Sequence, residues 1–79
     1  MLTRALAKAF APAITVNSVA PGVIPFGGAD VRIDAMIRDT PAKRGGTADE
    51  VADAVVYFLR ATNFVTGQLL AVDGGLSQR

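Results

Sequence analysis

A β-type apolar run that feeds directly into a Pro-Gly turn, Ile14-Thr15-Val16-Asn17-Ser18-Val19-Ala20-Pro21-Gly22-Val23-Ile24, constrains this chain more than any other segment. Val and Ile are stiff at χ1 and suit a pleated, buried strand. Pro21 has no N–H to give to a ladder, and Gly22 tolerates backbone angles that other residues resist. A strand over Ile14 to Val19, ending at about Ala20, is therefore expected. In open α/β sheets ligands bind outside the carboxyl ends of the strands, so the turn is a candidate ligand wall. Read locally, an ordinary loop explains it equally well.

Leu2, Ala5, Leu6, Ala9 and Phe10 recur at helical spacing with Arg4 and Lys8 on another face, which predicts an amphipathic helix over about Leu2 to Phe10, stopped by Ala11-Pro12-Ala13. Pro25, Gly27 and Gly28 mark the stretch Pro21 to Ala29 as loop. Val31, Ile33, Met36 and Ile37 then suggest a short helix, with Asp30 as N-cap and Thr40-Pro41 as the stop. Thr47-Ala48-Asp49-Glu50 is a capping-box pattern that opens a helix from Ala48 to about Arg60. Its main apolar stripe is Val51, Val55, Phe58 and Leu59, widened by Ala52, Ala54 and Val56. First-turn carboxylates such as Asp49 and Glu50 complement the positive helix end, which makes them structural rather than catalytic.

Leu69-Leu70-Ala71-Val72 is a continuous apolar run of the kind found in a strand covered on both faces, and Asp73-Gly74-Gly75 closes it with turn chemistry. Helix, strand, short helix, helix, strand is the order expected in the closing part of a doubly wound α/β parallel sheet, its two strands neighbours across a right-handed crossover. Two strands leave unpaired edges and cover little core. Further strands, another subunit or both are expected to supply the rest.

At 79 residues the chain is one small domain, and a domain of this size buries only about 60% of its unfolded surface. A hydrophobic share of 51% is high for so short a chain, so part of its apolar surface expects a partner. The net charge of +1 offers no electrostatic footprint for nucleic acid. With no Cys and no His, disulfides, thiolate sites and imidazole metal ligands are excluded. No apolar stretch approaches the roughly 20 residues that span a bilayer, and the N-terminal run lacks a secretory signal's apolar centre, so the cytoplasm is the expected location.

Asn17-Ser18-Val19-Ala20-Pro21-Gly22 resembles the Asn-x-Val-x-Pro-Gly signature of the short-chain dehydrogenases/reductases. Leu2-Thr3-Arg4-Ala5-Leu6-Ala7 before it, and Pro41-Ala42-Lys43-Arg44-Gly45-Gly46-Thr47, Glu50-Val51-Ala52, Thr66-Gly67-Gln68 and Val72-Asp73-Gly74-Gly75 after it, follow the same family in order. The resemblance covers essentially the whole chain. It implies the C-terminal part of a Rossmann-like NAD- or NADP-dependent oxidoreductase. The family's glycine-rich dinucleotide turn, its serine and its Tyr-x-x-x-Lys all lie outside this sequence, so the fragment alone is expected to be inactive. Tyr57 is no substitute, because Ala61 stands where the lysine should be. It is expected to pack.

The resemblance carries over a nicotinamide wall: Pro21 and Gly22 at the turn beside the ring, then Val23 and Ile24, whose backbone groups meet the carboxamide. It also implies a substrate lid over about residues 23–46, with Phe26 and Met36 as lid contacts. Phe26, after Pro25, stands where the family commonly has a cofactor-assisting Thr. The pattern is similar to pteridine-reductase-like members and to 3-oxoacyl-carrier-protein reductases, which implies a small carbonyl or pteridine substrate and a homo-oligomer. Asn17 reads as a tie to neighbouring backbone, and Asp73 as a turn cap. Arg44 either meets an anion or is solvated or interface-paired, the simpler reading. The rival to an enzyme is a non-enzymatic dimerisation module built from the same fold. The NAD-versus-NADP choice is not carried by these residues.

Overall fold

A computed structural model describes residues 1–25, 27 and 30–78. Four elements follow the sequence pattern closely: α1 at Leu2–Phe10, α2 at Val31–Asp39, α3 at Ala48–Arg60 and β2 at Leu69–Val72. The Asp30 side chain accepts from the Arg32 N–H and opens α2, while Thr47 and Glu50 form the reciprocal capping box of α3. After Phe10 the chain turns through a cis Ala11–Pro12 peptide.

The first strand departs from expectation. β1 covers Ser18–Pro21, not Ile14 to Val19. Upstream of Ser18 the backbone is engaged by other groups: the Val16 N–H donates to Thr66 Oγ1 at 3.0 Å, and the Val16 carbonyl accepts from Gly67 N–H at 2.7 Å. Downstream, Pro21 joins the strand because its nitrogen faces away from β2. Ser18 N–H donates to Gln68 O at 2.9 Å and Gly22 N–H to Val72 O at 3.0 Å; alternation turns the intervening Pro21 nitrogen to the open side.

β1 and β2 pair in parallel, with Ser18 opposite Leu69 and Pro21 opposite Val72. α3 lies against both strands, and α1 and α2 contact the other elements more sparsely. The hydroxyls of Thr3 and Ser18 share a hydrogen bond that ties α1 to β1. The molecule is elongated: its radius of gyration is 14.9 Å, against about 12 Å for a compact chain of this length.

The core is correspondingly slight. Ala7, Val23 and Ala54 are the buried apolar residues among those described, and no large side chain is fully buried. On α3 the small Ala54 is buried, whereas Val55, Leu59 and Tyr57 are largely exposed. Tyr57 thus packs less than expected, its ring 5.5 Å from that of the neighbouring Phe58, centroid to centroid. Leu69 is 66% exposed and Leu70 40%, so the strand whose sequence expects cover on both faces is open within this chain.

Candidate functional site

The carboxyl ends of β1 and β2 lie side by side, and Gly22 makes that approach possible. A Cβ placed on Gly22 would sit 2.7 Å from Asp73 Cβ and 2.8 Å from its Cα, closer than real contacts allow. The strand pair itself therefore demands glycine here. Beyond it, the Val23 side chain is buried and its carbonyl accepts from the Gly46 N–H at 2.8 Å. Ile24 follows half-buried, and its backbone N–H and carbonyl take no partner among the described residues. Pro21 is exposed.

Residues 40–46 form a strap across both strand ends. Thr40 is 2% exposed; its hydroxyl donates to the Met36 carbonyl at 2.8 Å and closes α2. Ala42 N–H donates to Gly74 O at 3.0 Å, joining the strap to the end of β2, and Gly46 joins it to the end of β1. Gly74 has φ +62°, and an added Cβ would lie 2.9 Å from both Thr40 Cγ2 and Ala42 Cβ. Between strap and strands lies a cavity of about 50 Å³, lined in part by Val23, Thr40, Arg44, Glu50 and Asp73. A space of that size holds a few waters rather than an organic ring.

The charges at this end are locked to one another. Arg44 Nη1 and Nη2 donate to Glu50 Oε1 and Oε2 at 2.9 and 2.7 Å. Thr47 N–H also donates to Oε1 at 3.0 Å. These donors, the Arg44 guanidinium first, hold the Glu50 carboxyl down at about 2, and the same pairing raises the Arg44 pKa. Asp73 accepts from Gly75 N–H at 3.0 Å and Ser77 N–H at 3.1 Å. Its pKa is lowered, with the hydrogen bond from the Ser77 side chain the leading cause. The turn cap read from sequence is thus present.

Asn17 is also the tie expected of it: Nδ2 donates to Val65 O at 3.1 Å and Oδ1 accepts from Gln68 N–H at 3.0 Å. Pro21 to Ile24 come together at one strand end. Met36 lies on α2, 45% exposed, and Phe26 lies outside the described residues. Sequence reasoning missed the Arg44–Glu50 pair and the burial of Thr40. The first had a legible signal, since Glu50 as the last residue of a capping box has a fixed direction. Thr40 had none, because its burial depends on contact with the Gly74 turn. Among the described residues no helix is long and apolar enough to cross a membrane.

Residues 1–77 match the family model described as enoyl-(acyl carrier protein) reductase. Carbonyl reductase family member 4 of Danio rerio is 45% identical over 76 residues, covering 94% of this chain and 32% of that protein. The 3-oxoacyl-[acyl-carrier-protein] reductase FabG of Aggregatibacter actinomycetemcomitans is 46% identical over 66 residues, covering 80% of this chain and 27% of that protein. Among solved structures, FolM alternative dihydrofolate reductase 1 of Brucella canis, complexed with NADP, superposes with a TM-score of 0.83 at 33% identity over 98% of this chain and 31% of that one. The chain belongs to the short-chain dehydrogenase/reductase family. It spans about a third of the length of these curated relatives, and its parallel strands and three helices are part of their Rossmann-type fold.

Proposed function

We propose that this chain is the C-terminal part of an NAD(P)-dependent short-chain oxidoreductase that reduces a small carbonyl or pteridine substrate in the cytoplasm. It supplies the nicotinamide wall, the substrate lid and a subunit surface. The observation that carries this reading is the division of backbone groups at the end of β1. The Val23 carbonyl is committed to Gly46, while the adjacent Ile24 N–H and carbonyl have no partner among the described residues. A donor and an acceptor on one residue match the two halves of a carboxamide, so the residues present fit a nicotinamide at this wall.

Bound there, the cofactor would supply the hydride. Ile24 orients the carboxamide, the exposed Pro21 offers an apolar surface to the ring, and Gly22 and Val23 set the backbone from which both project. Met36, on the lid, excludes water from the substrate, and the family resemblance implies the same role for Phe26. The proton comes from a Tyr-x-x-x-Lys pair elsewhere in the intact enzyme, because four residues after Tyr57 stands Ala61 and not a lysine.

The test is the reading frame upstream of Met1 together with the isolated chain. An upstream Tyr-x-x-x-Lys and glycine-rich turn, with no NADH or NADPH turnover by the purified 79-residue chain, are expected. A stop codon directly upstream would instead favour the non-enzymatic dimerisation module, a reading that the exposed Leu69 and Leu70 also suit. Turnover by the purified chain, abolished by replacing one of its own residues, would sink the fragment reading.

A further inference from the structure

We propose that Arg44 and Glu50 act as a positioning pair that sets the direction of the Ile24 backbone, and that Arg44 holds the wall rather than an anion. The inference rests on the reading of that wall as a nicotinamide site. Glu50 belongs to the first turn of α3, and α3 lies against both strands, so its carboxylate is an anchored point. Arg44 grips that carboxylate with both terminal nitrogens and donates to Gly45 O at 3.0 Å, while Thr47 N–H donates to Glu50 Oε1. Such two-pronged pairs fix orientation as well as distance. Residues 44 to 47 are thereby closed into a ring around Glu50.

The two glycines inside that ring carry the wall. Gly46 N–H holds the Val23 carbonyl at 2.8 Å, and a Cβ on Gly46 would lie 2.9 Å from Ile24 Cδ1. A Cβ on Gly45 would lie 2.6 Å from Pro25 Cδ. Val23, Ile24 and Pro25 are thus each seated on the Gly45-Gly46 backbone. A shift of that backbone turns the open Ile24 donor and acceptor with it. Glu50 already neutralises the guanidinium in a two-pronged pair, which leaves it less free to serve a ligand phosphate.

The test uses the intact reductase with Arg44→Met and Glu50→Gln. Calorimetry compares the dinucleotide that the parent binds with its nicotinamide-free part, ADP-ribose or the 2′-phosphate of that compound. Both variants should bind the whole dinucleotide about 10-fold more weakly and the nicotinamide-free part within about twofold of the parent, since misplacing one wall removes only the contacts at that wall. A general loss of structure would weaken both ligands alike, and the proposal fails if either variant leaves their affinity ratio unchanged. Weakening by Arg44→Met with unchanged or tighter binding in Glu50→Gln would assign Arg44 to an anion and overturn it equally. Should Arg44→Met not fold, Arg44→Lys keeps the charge without the planar fork and gives the same comparison. A parent that binds no dinucleotide overturns the functional reading and this inference together; a parent that binds it with unchanged ratios in the variants overturns the inference alone.

Discussion

The side chain of Asn17 bridges two backbone groups of the segment before β2, donating to Val65 O at 3.1 Å and accepting from Gln68 N–H at 3.0 Å. The next residue, Ser18, begins the parallel ladder by donating to Gln68 O. Asn17 therefore sets the register in which the two strands meet. Asn17→Ala should destabilise the protein by about 1–3 kcal/mol, the sum of two ordinary hydrogen bonds. Asn17→Asp, which keeps the acceptor and loses the donor, should fall between. Denaturant unfolding of both variants checks the order, and an unperturbed Asn17→Ala midpoint would contradict the bridge.

Gly22 is required by Asp73 before any ligand arrives. Gly22→Ala should cost about 1–3 kcal/mol through backbone displacement, the usual scale of overpacking, and Gly22→Val should in addition impair cofactor use. Tyr57→Phe, on a half-exposed ring, should change neither. Thermal unfolding of the three variants decides, and an Ala variant as stable as the parent would show that the strand ends can part freely.

The Glu50 carboxyl lies at about 2 in the folded protein against an ordinary value of 4.5. A depressed carboxylate contributes its full stability above the unfolded value and loses it as pH falls through the folded one. The melting-temperature gap between parent and Glu50→Gln should therefore be constant above about pH 5 and close progressively between 4.5 and about 2. Asp73 is also depressed, but both proteins retain it, so its contribution cancels. A gap that widens on acidification would reverse the assignment.

Much of the fold was legible because local chemistry determined it. The Asp30 cap and the Thr47/Glu50 box fix where α2 and α3 begin, and the apolar run Leu69 to Val72 coincides with β2. The first strand was misplaced because β-propensity in Ile14 to Val16 measures a preference for a pleated surface, and among the described residues no strand pairs with those three. The Pro-Gly turn was legible as a strand end. That Val23 and Ile24 differ in what their carbonyls do was not, since it depends on Gly46, which is distant in sequence. Burial was overestimated for Tyr57, which lies outside the apolar stripe of α3 and is 54% exposed.

Lys43 is a non-glycine residue in the left-handed region, at φ 62°. Relief of about 1–2 kcal/mol of steric cost there, against about 0.5–1 kcal/mol of added chain entropy, predicts that Lys43→Gly is stabilising by up to about 1 kcal/mol. Its Nζ bond to Arg38 O is exposed and adds little. Equilibrium unfolding measures the sign, and a clear loss of stability would mean that this bond outweighs the strain.

Leu69, 66% exposed on a strand of apolar sequence, is expected to lie in a contact between subunits. In a two-fold contact one substitution acts twice. Leu69→Asp should lower the assembled mass seen by sedimentation, and an unchanged mass would place the contact elsewhere.

The orientation of Pro21 has a consequence for any strand that lies along the far side of β1. Such a neighbour could zip to Val19 and no further, for the following position on that side presents a ring carbon where a donor is needed. Its course must then diverge, opening a wedge in the sheet. The wedge would begin one residue before the Gly22 turn and run out past Ile24, so the same imino acid that closes one ladder keeps the next from sealing the crevice.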